Sequence, residues 1–380
     1  MSLKQITANA LVTTLSAVIG IGLCEAAARL VLNPADYLSV SMVPDNVLGI
    51  TVAPKSAGMD AWGFRNPTVP AMVDVVAVGD SHTFGNTAAM TDAWPNVLSR
   101  ESGLSVYNLA LGGYGPNQYY ELLKTRGVTL HPKWVLCGLY MGDDFENAFS
   151  ITYGLDHWAF LREGDWGRVD ANIWSDSEAP GVLKVARNWL SRKSMVYRLV
   201  VHGPVFGELK ERARFKHAQR DEDPEVTSIV VEARNLREAF RPISIASRLD
   251  QSSPQIREGM RITFHLLNEM ARICRENGCT FAVVIIPTKE TVFADDLEHA
   301  PNLALKEAVN TVLSNERSAR RELGEFLDKA GIPYVDTLPA LRKAVSEELY
   351  ARTTADMHPS KNGYKVIGQA VADFMRRSRS

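Results

Sequence analysis

The sequence predicts an α/β protein: a three-layer α/β/α sandwich on a central parallel sheet, with an N-terminal transmembrane helix and a helical insertion. Three observations carry this. Short, nearly continuous apolar runs alternate with helix-like stretches, the pattern of strands buried on both faces. A charge-free run, Ile6 to Leu23, stands near the start. A stretch from about Ser150 to Ser253 breaks the alternation without strand periodicity of its own.

The first element is the run "ITANALVTTLSAVIGIGL". As a helix at ~1.5 Å per residue it is long enough for a bilayer core of roughly 30 Å. A cleaved signal peptide and a buried helix compete with the anchor reading. No clear small-x-small site precedes a polar start, and Leu23 spoils a lipoprotein box at Cys24, so residues 1–32 are expected to be an uncleaved membrane anchor. Lys4 is the only charge before the span, which places the amino terminus in the cytoplasm and the rest outside. Residues 33–71, with repeated Pro and Gly and the segment "DAWGFRNPTVP", read as an extended linker.

The domain proper spans 72–380, with the insertion at about 150–253. Its strands are expected at Val73 to Gly79, Leu104 to Ala110, Trp134 to Tyr140, Phe281 to Pro287 and Ile332 to Asp336. Within the insertion, Lys184 to Arg220 carries ten basic residues against Glu208 and Glu211, a net +8. A solvated helix face is the plain reading of such a run, and a surface for anionic lipid or an acidic glycan is the sharper one.

Overall charge excludes a polyanion-binding protein: 42 Lys plus Arg against 44 Asp plus Glu give −2, so no nucleic-acid partner is expected. Protein partners are unspecified. The four cysteines lack zinc-like pairing and are too few for a disulfide scaffold. Cys274 and Cys279 are near enough for a bridge, or sit unpaired in the core. No His/Asp/Glu cluster has metal-ligand spacing and no cofactor is expected.

The chemistry starts at "VVAVGDSHTFG". A strand ending in Gly79-Asp80-Ser81-His82 places Ser81 at the carboxyl edge of a parallel sheet, where open α/β folds build their sites. Serine needs a general base. The best-framed base is in "DMHPSKNGYKVIGQAVADFM", where Asp356 precedes His358 by two residues on an irregular turn. Asp356 can fold back on the imidazole and fix its tautomer while His358 takes the proton from Ser81. His82 adjoins the serine without an evident role.

These blocks, with "VYNLALGGYGPNQY" and "LYMGDDFENAF", resemble the GDSL/SGNH hydrolase family. The resemblance covers the domain but not the insertion, and it implies a flavodoxin-like fold. It implies catalytic Ser81, Asp356 and His358, and an oxyanion hole from Ser81, Gly113 and position 143, with Gly112 one residue from the matched glycine. The departure is Asp143, where the family carries an asparagine donor. An ionised carboxylate there would repel the oxyanion, unless it is neutral, is replaced by Asn147, or is bypassed by the backbone N–H groups.

The nearest likeness, carried by Gly63-Phe64-Arg65 and "GYGPNQ", is to membrane-anchored bacterial members that add or remove acetyl groups on secreted polysaccharides. It implies an ester hydrolase or O-acetyltransferase in the bacterial inner membrane with a periplasmic catalytic domain and an ester-bearing glycan as partner. Trp62, Tyr114, Trp158 and Trp166 are candidates for stacking on sugar rings, with core or lid positions the plainer reading. Two alternatives are a polysaccharide-binding or scaffold subunit impaired by Asp143, and a lipid-directed esterase.

Overall fold

The computed structural model describes residues 3–167, 169, 182–202, 225–231, 236–300, 303–350 and 355–378. Five parallel strands form the central sheet: β3 (Val75–Gly79), β4 (Val106–Asn108), β5 (Trp134–Tyr140), β8 (Thr280–Ile286) and β9 (Tyr334–Asp336). All five sequence-predicted strands are present. Their spatial order is β4-β3-β5-β8-β9, so the direction in which successive strands are added across the sheet reverses at β3 and β5. That switch point is where doubly wound sheets open a crevice at their carboxyl edge.

Alternation along each strand sorts side chains into two cores, as a period of two requires. Val76, Val78, Val135, Cys137, Phe281 and Val283 face one side, covered by α5 (Pro116–Thr125) and the helices Pro254–Glu276 and Lys306–Ala330. Val75, Ala77, Leu136, Ala282 and Val284 face the other, covered by α4 (Trp94–Ser102) and the terminal helix Lys361–Arg377. The terminal helix and α4 approach closely at Gly368, where a Cβ would lie 2.6 Å from Val97 Cβ. Cys274 and Cys279 are buried free thiols.

At the N-terminus, α1 (Leu3–Val31) contains one stretch, Lys4–Val31, long and apolar enough to cross a membrane, with mean hydropathy 1.8 and none of its apolar window buried. Two expectations are corrected downstream of it. Residues 33–71 are loop-rich but do not form a linker. They hold α2 (Pro34–Tyr37) and an antiparallel hairpin of β1 (Met42–Asp45) and β2 (Gly49–Val52), and their Ala35, Leu48, Val52, Met59 and Phe64 belong to the core. Polar residues of this segment bind the domain directly. Asp60 accepts from Tyr107 Oη at 2.6 Å, and Asn66 pairs reciprocally with the Asn108 backbone at 2.9 and 3.0 Å.

The insertion is not wholly helical. It contains the end of α6 (Asp144–Gly154), then α7 (Val182–Lys193) and α8 (Met195–His202), followed by an antiparallel hairpin of β6 (Thr227–Val231) and β7 (Leu236–Phe240). The hairpin is hard to see in sequence because a charge replaces an apolar residue on its buried face: Glu238 is 1 % exposed and pairs with Lys289 at 2.6 Å. The N-terminus of α8 is capped by Glu25 of α1, which accepts from Met195 N at 2.9 Å and Val196 N at 3.0 Å. Part of the basic run, Lys210 to Arg220, lies outside the described residues.

Candidate active site

β3 ends on Gly79 because the next turn folds back on it: a Cβ there would lie 2.1 Å from Thr83 Oγ1, and one at its sheet neighbour Gly138 would lie 2.2 Å from the same oxygen. Two glycines in adjacent strands thus admit the short helix α3 (Ser81–Phe84) against the sheet edge. Asp80 caps it, accepting from His82 N at 2.9 Å. Ser81 is thereby lifted to the carboxyl edge beside the switch point.

The other end of the chain is carried to the same place by the terminal helix, which starts behind an N-cap at Ser360 and packs on α4. Two bonds lock the approach. Thr87 Oγ1 donates to Pro359 O at 2.7 Å and Tyr364 Oη to Asn86 O at 2.9 Å. The result is a continuous chain of contacts across 277 positions of sequence: Ser81 Oγ lies 2.8 Å from His358 Nε2, and His358 Nδ1 lies 2.7 Å from Asp356 Oδ1. Asp356 also accepts from His358 N at 2.9 Å, so the two-residue spacing closes a local turn. Burial works to raise the Asp356 pKa, but bonds to His358 outweigh it and hold the carboxyl below its ordinary value. It stays ionised to accept the Nδ1 proton, which leaves Nε2 free as the base.

Gly112 reaches the site, and Gly113 follows it on the same turn. A Cβ on Gly112 would lie 3.6 Å from Ser81 Cβ, and Gly113 occupies a tight turn closed by Tyr114 N to Leu111 O at 3.2 Å, with φ +82°. That positive φ at the third turn position suits glycine. Among the described residues the N–H groups of Ser81, Gly112 and Gly113 donate to no protein acceptor.

Asp143 occupies the N-cap position of α6 just past the end of β5, without a side-chain capping bond. Its Oδ1 is shielded from solvent and has no hydrogen-bond partner. Burial and the neighbouring Asp80 push its carboxyl up to about 7. The neutral acid therefore persists well above the ordinary carboxylate range, and as an O–H donor it does not repel an oxyanion. Asn147 packs its Cβ against Gly115, where an added Cβ would lie 2.7 Å away.

Three features escaped the sequence reading. Asp144 is buried, accepts from Tyr119 Oη at 2.7 Å and Tyr140 N at 2.8 Å, and is raised well above its ordinary pKa by burial and by Asp80 and Asp143. Arg65 is buried, pairs with Asp36 at 2.7 Å, and donates to Gly85 O and Ala88 O at 2.9 Å each, bracing the loop behind Ser81. A cavity of about 540 Å³ opens beside that loop, lined by Asn86, Gly112 and Leu111 on the catalytic side and by Tyr37, Leu38 and Met42 from the segment following α1. Of the proposed sugar platforms, Tyr114 and Trp158 are fully buried core residues and Trp62 is packed on Tyr107 and Arg126. Trp166 remains exposed.

No family model and no curated protein matches the sequence. Solved structures that align with it include a GDSL-like lipase from Bacteroides thetaiotaomicron (11% identity, 82% of this chain and 93% of that one, TM-score 0.35). An extracellular lipase from Streptomyces rimosus aligns at 10% identity over 80% of this chain and 99% of the other, with TM-score 0.41. An acetylxylan esterase from Geobacillus stearothermophilus, in a catalytic mutant form, aligns at 9% identity over 81% and 95%, with TM-score 0.40.

Proposed function

We propose that the protein is a serine ester hydrolase or acyltransferase of the GDSL/SGNH type, acting on O-acetyl groups of an extracytoplasmic polysaccharide. The observation that carries the reading is the Ser81–His358–Asp356 chain, with contacts of 2.8 and 2.7 Å between groups from opposite ends of the domain. Ser81 Oγ attacks the ester carbonyl as His358 Nε2 takes its proton, and Asp356 steadies the imidazolium. The N–H groups of Ser81 and Gly113 and the neutral carboxyl of Asp143 face the developing oxyanion. His358 then protonates the leaving alcohol, and water or a sugar hydroxyl takes the acyl group from Ser81.

The apolar helix α1 supports a membrane anchor; the proposal sets it in a bacterial inner membrane with the catalytic domain outside the cytoplasm. The cavity beside Gly112 favours a second reading. Its far wall is the segment that leaves α1, which suits a lipid-borne ester. The full chain in detergent is expected to hydrolyse an activated acetyl ester, with turnover lost in Ser81→Ala. Acetyl release that rises with an added glycan acceptor marks transfer, and a preference for long acyl chains marks the lipid-directed alternative. Absence of Ser81-dependent turnover under all these conditions overturns the reading in favour of a binding subunit.

A further inference from the structure

The residue left without a role, His82, is 1 % exposed and lies against the catalytic groups. Its ring stacks on Tyr140 with centroids 3.7 Å apart, and its centroid is 4.9 Å from that of His358. Its Nδ1 lies 3.0 Å from Asp80 Oδ2, and the same carboxylate oxygen lies 3.3 Å from Ser81 Oγ. Asp80 is itself almost wholly buried. A negative oxygen thus sits beside the atom whose attack generates an oxyanion, inside a site also walled by Asp143 and Asp144. His82 Nε2 is buried without a hydrogen-bond partner, so hydrogen bonding satisfies only one of the two ring nitrogens.

We propose that His82 is a positioning residue for the reaction, its imidazolium neutralising Asp80 so that an oxyanion can form in a pocket lined with carboxylates. The proposal rests on the hydrolase reading above. The groups around it are consistent in sign. On its own turn stand Asp80 and Ser81; from the end of β5 comes Tyr140; from the cap of α6 comes Asp143; from the C-terminal turn come His358 and Asp356. Beyond Asp143 lies the Arg248–Glu146 pair at 3.1 Å. Burial favours the neutral acid at Asp80, yet the His82 and His358 rings and the hydrogen bonds from His82 hold it below its ordinary pKa, so it carries the charge that needs an offset. Burial and Asp80 raise the Asp143 carboxyl, and His82 acts on it in the opposite direction. Asp80 cannot simply be dispensed with, because it caps α3.

The test uses the full chain and compares the parent with His82→Gln, Asp80→Asn and the double variant across pH. Glutamine keeps a donor for Asp80 without the charge, and asparagine keeps the helix cap. The expected loss in kcat for His82→Gln is about tenfold to a hundredfold, below the roughly 10²–10³ for deleting a direct oxyanion donor, with KM little changed. Its alkaline limb moves to higher pH, because loss of a cation raises Asp143. The double variant recovers most of kcat, since the uncompensated carboxylate is gone.

A packing role predicts none of these shifts, so an unmoved limb, or a double variant no better than His82→Gln with the same Tm, overturns the proposal. The Asp143 titration can also be followed without turnover, by infrared spectroscopy of its carboxyl band, assigned by its loss in Asp143→Asn. An upward move in His82→Gln supports the counter-charge even if the parent hydrolyses nothing, and no move refutes it. Failure of the hydrolase reading is thereby separated from failure of this one.

Discussion

Ser81, Asp356 and His358 were legible as residues because each lies in a short block whose local geometry does the work: a strand end for the serine, a two-residue turn for the Asp-His pair. Asp143 was legible as a departure, but its state was not, because that depends on burial in the fold and on Asp80, some sixty positions away. Its raised pKa gives a prediction with a definite sign. The acid is neutral below about 7 and ionised above, so kcat should fall as pH rises through about 7. Asp143→Asn should abolish that fall, and a pH–rate profile of the two proteins checks it. Stability has the same direction. Between the ordinary aspartate value of about 3.9 and about 7 the folded state binds the extra proton, so stability drops as pH climbs through that window and should not do so for the asparagine variant. Asp144 and the His82–Tyr140 stack were invisible because their partners come together only in the fold.

At the level of elements, the inner strands β3, β5 and β8 stood out in sequence because both faces of each are buried, which leaves a continuous apolar run. The β6–β7 hairpin and the 33–71 segment did not, for one shared reason: polar groups occupy their buried positions. Glu238 meets Lys289 in the first, and Asp60, Arg65 and Asn66 meet backbone and side-chain partners in the second. Composition reads such residues as solvent-facing. Arg65 makes the consequence testable. Its two bonds to Gly85 and Ala88 need the planar fork of a guanidinium. Arg65→Lys is expected to lower kcat by about tenfold through a loosened Ser81 loop while the protein stays folded, and Arg65→Ala to lower Tm as well, since it removes the counter-charge of Asp36 and strands two carbonyls. Kinetics and thermal melts of both variants check this.

For the molecule as a whole, one sheet edge gathers the serine turn, both glycines, Asp143 and the C-terminal Asp-His turn, while the segment leaving α1 walls the adjoining cavity. Glu25 of α1 caps α8, so the apolar helix and the insertion are joined outside the sheet. If α1 is the proposed anchor, the full chain should remain with membranes after alkaline carbonate washing and be released only by detergent. Recovery in the wash as a shortened soluble chain would instead mark α1 as a cleaved signal. Neither result alters the chemistry proposed at Ser81, which stands or falls separately. The most direct measurement is acid-quench trapping of the acyl-enzyme with an activated acetyl ester, followed by peptide mass spectrometry. The account predicts a single acetyl adduct on the peptide carrying Ser81, absent in Ser81→Ala and greatly reduced in His358→Ala. Ester turnover with no adduct on that peptide, or turnover undiminished by Ser81→Ala, would contradict it.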